Sequence, residues 1–556
     1  MRKFGRIAFG LIITVTVFLL FTSQQSTGRN IQEVSINTVR STTPVKGFIP
    51  ASNTYEIVNL PQDGRTNVIK INGKECNNWN VLGYSLSGYR DKLIKIDFSI
   101  DIMRVGSAGR LHWVVNNLPD FTTVSYLHYA ESGVWQRMYG RVFTTPNNRE
   151  PLLYLSAWGN NSPTTIYYLD NIEINIQPIN ITIDTSLPAL HTKWSFPVGV
   201  WLSGEELYPN SYERQLLKHF NVLCHMNFFK GDFLMPSPWT PNGAYRWTNA
   251  DIFVNYAEEN NRKIRGIDLF WHDQTPDEFF KGNNRDGLAT IDELYSRMEN
   301  HVKTMFQKYH GRIEWWSVVN EAVADNGGPR LGGNARHNSH YTQIMENAGK
   351  KGMDRYEWVL KAFQWARQYA DMNNGQNVKL ILNDYDIESP GVKLNEFLRL
   401  LDYLIANKAP IDGVGIQGHI AYDRANIRSD LNRTIDTISR KRNPITRKNL
   451  TVQISELDIS LFKDSETWNN PSAQKTTVPE NELNSRLTQQ ARLYRELFDM
   501  FEQKYREGKL EMVLISGVAD INSWLNYEPI NRINHPLLFD WYYQPKPAYY
   551  ELIRGR

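Results

Sequence analysis

Beyond Phe196, short β-rich runs alternate with amphipathic helical patterns, and this alternation constrains the fold more than any other feature of the chain. One repeat shows the physical logic. Thr290 and Glu293 are placed to form a capping box at a helix start. Leu294, Tyr295, Met298, Val302, Met305, Phe306 and Tyr309 then recur at helical spacing and predict one buried face. Gly311 offers a left-handed stop, and a β-rich run over residues 313–321 follows at once. Comparable runs stand at 196–201, 221–226, 263–271, 378–384, 413–419, 451–458 and 512–518. That makes eight, the number of strands that closes a parallel (β/α)8 barrel.

The preceding chain has a different period. Residues 50–178 carry short alternating runs, such as Leu93-Ile94-Lys95-Ile96-Asp97-Phe98, between Gly, Asn and Pro turns. They predict an all-β sandwich. Residues 179–193, with Pro188 and several Thr and Asn, read as a linker to a barrel over 194–556. At the front, Arg2, Lys3 and Arg6 precede an apolar run at 7–21, so residues 1–28 read as an export signal. That run is shorter than the ~20 residues that span a bilayer. No A-x-A-like cleavage site follows it, so membrane attachment through residues 7–21 is the alternative. Either way the bulk of the chain is expected outside the cell, secreted or at the surface.

Composition removes several function classes. A net charge of +3 provides no field for nucleic acid. Cys76 and Cys224 fall in different predicted domains and read as buried thiols, not as a disulfide framework. No H-E-x-x-H and no Cys/His ligand spacing occurs, so neither metal nor cofactor is expected. Gly413-Val414-Gly415-Ile416-Gln417-Gly418 matches a dinucleotide fingerprint in form only, because its glycines lie inside a strand. The basic run from Arg440 to Lys448 reads as solvated surface. The expected species is a monomer.

Active sites of such barrels lie at the carboxyl ends of the strands. Polar residues gather there: Lys230, Trp271, His272, Asn320, Glu321, Asn383, Asp384, Gln417, His419, Glu456 and Asp458. Glu321 and Glu456, ending strands four and seven, suit a carboxyl pair flanking a glycosidic bond. One carboxyl protonates the leaving oxygen while the other attacks the anomeric carbon, across about 5–5.5 Å in retaining enzymes.

The wording of these strands is more specific. Trp316-Ser317-Val318-Val319-Asn320-Glu321-Ala322, Asp412-Gly413-Val414-Gly415-Ile416-Gln417-Gly418-His419 and Ile454-Ser455-Glu456-Leu457-Asp458 resemble glycoside hydrolase family 10, the endo-β-1,4-xylanases. Leu382-Asn383-Asp384-Tyr385 and the segment from Pro536 to Tyr549 match as well, in the same order. The resemblance implies that Glu321 is the acid/base and Glu456 the nucleophile. It implies that Asn320 binds a sugar 2-hydroxyl, that His419 hydrogen-bonds the nucleophile, and that Gln417, Trp271, Asn227 and Lys230 contact sugar. The partner would be xylan or a related β-glycan.

Departures from the family accompany these matches. Met226-Asn227-Phe228-Phe229-Lys230-Gly231 keeps only Asn and Lys of the usual Glu-Asn-Glu-Met-Lys-Trp. Ile267 replaces a histidine, and Ser516 replaces a tryptophan. A site that loses hydroxyl partners loses preference for its substrate. Altered β-glycan specificity is therefore one alternative, and a non-catalytic polysaccharide-binding protein is another. The loops 323–351 and 461–482 are expected on the active face. In the amino-terminal domain, Trp135-Gln136-Arg137-Met138-Tyr139-Gly140 and Tyr168-Leu169-Asp170-Asn171-Ile172 resemble carbohydrate-binding modules of family 22. Trp79, Trp113, Tyr126, Tyr129, Trp135 and Trp158 are its candidate sugar platforms.

Overall fold

The computed structural model describes the chain from Tyr55 to Gly555, with the short strands β1 (Val34–Ile36) and β2 (Phe48–Pro50). Residues 74–81, 90–92, 107–109, 118–119, 128–131, 144–151, 159–163, 210, 237–238, 241–242, 285, 332–337, 467–476 and 527–531 are not described. The export signal, Cys76, Trp79 and Tyr129 thus lie outside the described residues, as do the side chains of Trp113, Tyr126 and Trp158. No helix among the described residues is long and apolar enough to cross a membrane. The chain clusters into two compact units, one reaching to Thr182 and the other starting at Ile183.

The first unit is built from two antiparallel sheets. One has the order β3 (Glu56–Leu60), β4 (Arg65–Asn72), β11 (Ile166–Pro178), β6 (Ile94–Val105) and β9 (Trp135–Phe143), with β1 also on β11. The other runs β2, β5 (Leu82–Ser85), β10 (Leu152–Trp158), β7 (Arg110–Asn117) and β8 (Asp120–Leu127). Ile69, Ile96, Phe98, Ile100, Tyr167 and Ile174 of the first sheet pack with Tyr84, Leu153 and Leu155 of the second in one core. Alternate residues from two facing sheets make a sandwich. Trp135 has one face of its ring occupied. Arg65 lies over its ring at 4.0 Å, and its indole N–H donates to Asp63 at 3.1 Å.

The second unit is a closed parallel barrel. Its staves are β12 (Val198–Leu202), β13 (Val222–His225), β14 (Lys263–Gly266) with β15 (Phe270–Trp271), β16 (Trp315–Asn320), β17 (Lys379–Asp384), β18 (Gly413–Ile416) with β19 (His419–Ala421), β20 (Thr451–Ser460) and β21 (Leu510–Ile515). Pairing of β14 with β16 and of β12 with β21 closes the ring. The third and sixth staves, continuous in the sequence reading, are each interrupted. In the sixth, Gly418 takes a φ of +84° that few other residues would adopt. The capping box at Thr290 and Glu293 opens the helix Ile291–Tyr309, and both His310 and Gly311 are left-handed at its end. The stretch read as a linker is anchored on the barrel from Thr185 onward. Lys218 donates to the Thr185 and Leu187 carbonyls, and Tyr549 donates to the Pro188 carbonyl.

Cys224, buried inside the barrel, has its thiol pushed up to about 12 by burial and behaves as a small hydrophobe. Gly415 is needed for a different reason. A Cβ at this position would collide with Oδ1 of Asn383 and stand 3.1 Å from the Arg265 guanidinium. Gly415→Ala is expected to cost about 1–3 kcal/mol by overpacking. Chemical denaturation measures this; a loss within error of zero would show that Asn383 can move.

Candidate active site

Glu321 directly follows the last residue of β16 and adopts a φ of +55°, an uncommon conformation for a side chain of its size. Its backbone N–H donates to the Asn383 carbonyl at 2.9 Å, which ties this kinked residue to β17. The carboxylate accepts from Trp271 Nε1 at 2.9 Å on one oxygen. On the other it accepts from Gln417 Nε2 at 2.9 Å and Asn320 Nδ2 at 3.3 Å.

Glu456 lies within β20, where the register with β21 breaks between Ile454 and Leu457. Such a bulge re-aims side chains locally. The Glu456 N–H donates to the Gln417 carbonyl at 2.8 Å, and its Oε1 accepts from Asn383 Nδ2 at 3.0 Å. His419 faces it with Nε2 3.8 Å from Oε2, an ion-pair distance longer than a hydrogen bond. The other imidazole nitrogen, Nδ1, lies 2.9 Å from Asp458 Oδ2.

Three amides join the two acids. Asn383 Nδ2 donates both to Glu456 and to Asn320 Oδ1, the latter at 2.9 Å. Gln417 Nε2 stands 3.3 Å from that same Asn320 oxygen while bonding Glu321. Asn383 is itself fixed from below, because its Oδ1 accepts from Ser455 Oγ at 2.7 Å and from Arg265 Nη2 at 3.1 Å. Glu321, Glu456, Asn320, Gln417, His419 and Trp271 are therefore brought into one polar constellation at one barrel mouth. Lys230 joins through Trp271, over whose ring its ammonium sits at 4.6 Å. Asn227 stands beside it, its backbone N–H bonded to His225 Nδ1 at 3.1 Å, and His225 stacks on Phe228 at 3.3 Å.

The sequence places Asn383 at this mouth without giving it a role, and it does not single out Arg265 or Arg330. Its position near a strand end puts Asn383 at the mouth, but its bridging of the two glutamates depends on the folded barrel. Arg330 carries no periodic signal. It is 1% exposed, its Nε donates to the Glu321 carbonyl at 2.6 Å, and Nη2 reaches the Tyr385 hydroxyl at 3.2 Å and lies 4.0 Å from the Glu321 carboxylate. Around it, Lys393 pairs with buried Asp384 at 3.1 Å and caps the Tyr385 ring, while Tyr385 also bonds Asp325.

Residues 187–554 match Glycosyl hydrolase family 10. The chain belongs to that family. An endo-1,4-beta-xylanase C from Paenibacillus barcinonensis is 33% identical over 398 residues, covering 70% of this chain and 33% of the relative. A beta-1,4-xylanase from Dictyoglomus thermophilum is 33% identical over 362 residues, covering 65% of this chain and 88% of the relative. The crystal structure of an intracellular xylanase mutant from Thermoanaerobacterium saccharolyticum, in complex with xylotetraose, superposes with a TM-score of 0.54 at 31% identity. It covers 67% of this chain and 100% of that one. This chain spans about a third of the length of several of its curated relatives.

The electrostatics of this family 10 site are uneven. For Glu321, burial favours the neutral acid, but the charges of His272, Arg330 and Lys393 and the Gln417 hydrogen bond outweigh it. Its carboxyl is held below the usual carboxylate range. For Glu456, burial dominates over the opposing charges of His419 and Arg265, the charge of Glu321 adds to it, and the carboxyl is pushed up. Burial opposes the charged form of His419 as well, but Asp458 and Glu456 overcome it and push the imidazole up to about 9. The two carboxyls are thus pushed in opposite directions, Glu321 down and Glu456 up. Removing a cation from beside Glu321 destabilises its carboxylate and must raise its pKa. Arg330→Met is therefore expected to move the Glu321 titration to higher pH, followed by carbon-13 NMR of labelled glutamate; a downward move would contradict this field. In the wild type, the His419 ring is expected to keep its second proton until about pH 9 in a nitrogen-15 titration.

Proposed function

We propose that this chain is a retaining, endo-acting glycoside hydrolase that cleaves internal β-1,4-xylosidic bonds of xylan. The observation that carries this reading is the pair of glutamates, one just past the end of β16 and one within β20, bridged by the amides of Asn320, Asn383 and Gln417. Glu321 donates a proton to the leaving oxygen and later takes one from water. Glu456 attacks the anomeric carbon and carries the glycosyl group between the two steps.

The remaining residues take supporting roles. Asn320 lies between the acids, placed to meet a sugar 2-hydroxyl that strengthens its bond as positive charge grows on the ring. His419, charged at neutral pH, helps keep Glu456 ionised for attack. A bound glycone displaces water and brings the leaving oxygen to Glu321, where protonation of the bond and ionisation of Glu456 become mutually favourable. Trp271, Lys230 and Asn227 extend the glycone side. The xylanases among the relatives support the substrate class. The sandwich unit is a family 22-like carbohydrate-binding module that holds the enzyme on polysaccharide, and the chain works as a monomer outside the cell.

A second reading, altered β-glycan preference, is favoured by Ile267. Where the family places a histidine, this side chain is fully buried among Trp201, Cys224 and Met512. It provides no hydrogen bond to a hydroxyl.

Reducing-sugar assays on xylan and on mixed-linkage and cello-type glucans test both readings. Glu456→Ala is expected to lower turnover by several orders of magnitude, and Glu321→Ala by about 10²–10⁴-fold, less on substrates with activated leaving groups. Unchanged turnover in either mutant would overturn the assigned pair. Activity on a glucan with none on xylan would overturn the substrate in favour of the second reading.

A further inference from the structure

We infer that Trp201 is a positioning residue for Glu456, acting through the Ser455 carbonyl, and that Ser516 is the small residue that makes room for it. The inference rests on Glu456 being the nucleophile. Trp201 lies on β12 and is 7% exposed, within a cluster holding Cys224, Ile267, Met512 and Leu514. Its indole Nε1 donates to the Ser455 carbonyl on β20 at 2.6 Å.

That bond spans a neighbour. The barrel order is β12, β21, β20, so the indole must pass the strand between. Val200 pairs with Ile515, which sets Trp201 level with Ser516 one step further on. Met512 and Leu514 point into the barrel interior, and strand alternation turns Ser516 to the same side. A large side chain at 516 would compete with the indole for one space.

The acceptor also stands at a telling place. The ladder between β20 and β21 loses register between Ile454 and Leu457, and the residues inside that break are Ser455 and Glu456. A buried carbonyl in a broken ladder needs a donor, and the Trp201 N–H is one. Ser455 in turn donates through Oγ to Asn383, whose amide bonds Glu456. Trp201 thus steadies the bulge that aims the nucleophile from two directions, through the backbone of Ser455 and through the Asn383 amide. Its indole N–H goes to a backbone carbonyl and not to a carboxylate, so its role is positioning and not catalytic.

The test removes the N–H without removing the ring. Benzothienylalanine incorporated at position 201 keeps the bicyclic shape and lacks the donor; Trp201→Phe is the genetically simpler companion. Each full-length protein is treated with dinitrophenyl 2-deoxy-2-fluoro-β-xylobioside. The Glu456 carboxylate displaces dinitrophenolate from the anomeric carbon, forming the glycosyl-enzyme without help from an acid. The rate of dinitrophenolate release and the mass of the labelled peptide are read. Loss of one buried hydrogen bond predicts labelling slowed by roughly 10-fold or more, with kcat on xylan falling alongside and KM little changed. Ser516→Trp is expected to show the same loss. Labelling of the benzothienyl protein at the wild-type rate would overturn the inference. Labelling of the wild type at a residue other than Glu456 would instead overturn the proposed nucleophile, and the inference with it.

Discussion

Asn383 donates from one nitrogen to both Asn320 and Glu456, while its oxygen takes bonds from Ser455 and Arg265. The geometry of the mouth depends on this amide. A buried amide satisfied at both ends has little freedom, and its four partners come from three other staves, β14, β16 and β20. Through Asn320 it reaches Glu321 on one side of the mouth; through its own nitrogen it holds Glu456 on the other. Its backbone carbonyl also takes the Glu321 N–H, so the left-handed turn at Glu321 is anchored by the same residue. Gly415 contributes by having no side chain where that amide lies.

The cations form a second layer. Arg330, His272 and Lys393 gather on the Glu321 side, His419 and Arg265 on the Glu456 side. Two carboxylates in one buried mouth repel each other, and neither can ionise cheaply without such partners. Burial outweighs the cations at Glu456 and is outweighed by the charges and hydrogen bond at Glu321, so the two carboxyls are pushed to opposite sides of the usual range. The proposed mechanism needs the opposite order, with the proton on Glu321 and the charge on Glu456, and so asks substrate binding at Glu321 to supply the difference. Arg330 is fastened by the Glu321 carbonyl and by Tyr385, so the loop that carries it is coupled to the acid electrostatically and by hydrogen bonds.

Much of this was legible in the chain before any coordinates. The eight β-rich runs and the capping box at Thr290 follow from periodicity and hydrogen-bond chemistry, which are local. The glutamates and their neighbours were legible because barrel chemistry collects at strand ends. The interruptions at 267–269 and 417–418 were not, because an apolar run does not reveal where its ladder breaks. Nor was Arg330, whose role depends on a loop folding back. Trp201 was hidden for a different reason. Its partner is a backbone carbonyl two staves away, and only closure of the ring brings them together. The same closure explains why Ile267 sits in apolar surroundings: Trp201 fills the space beside it.

The central claim is that Glu321 and Glu456 face each other closely enough for direct attack by one and proton donation by the other. Proton NMR of the first products released from a xylo-oligosaccharide tests it most directly, before mutarotation blurs the outcome. Direct attack predicts that the newly formed reducing ends appear first as the β-anomer. Initial appearance of the α-anomer would contradict it, since inversion needs a water between carboxyls held about 6.5–9.5 Å apart.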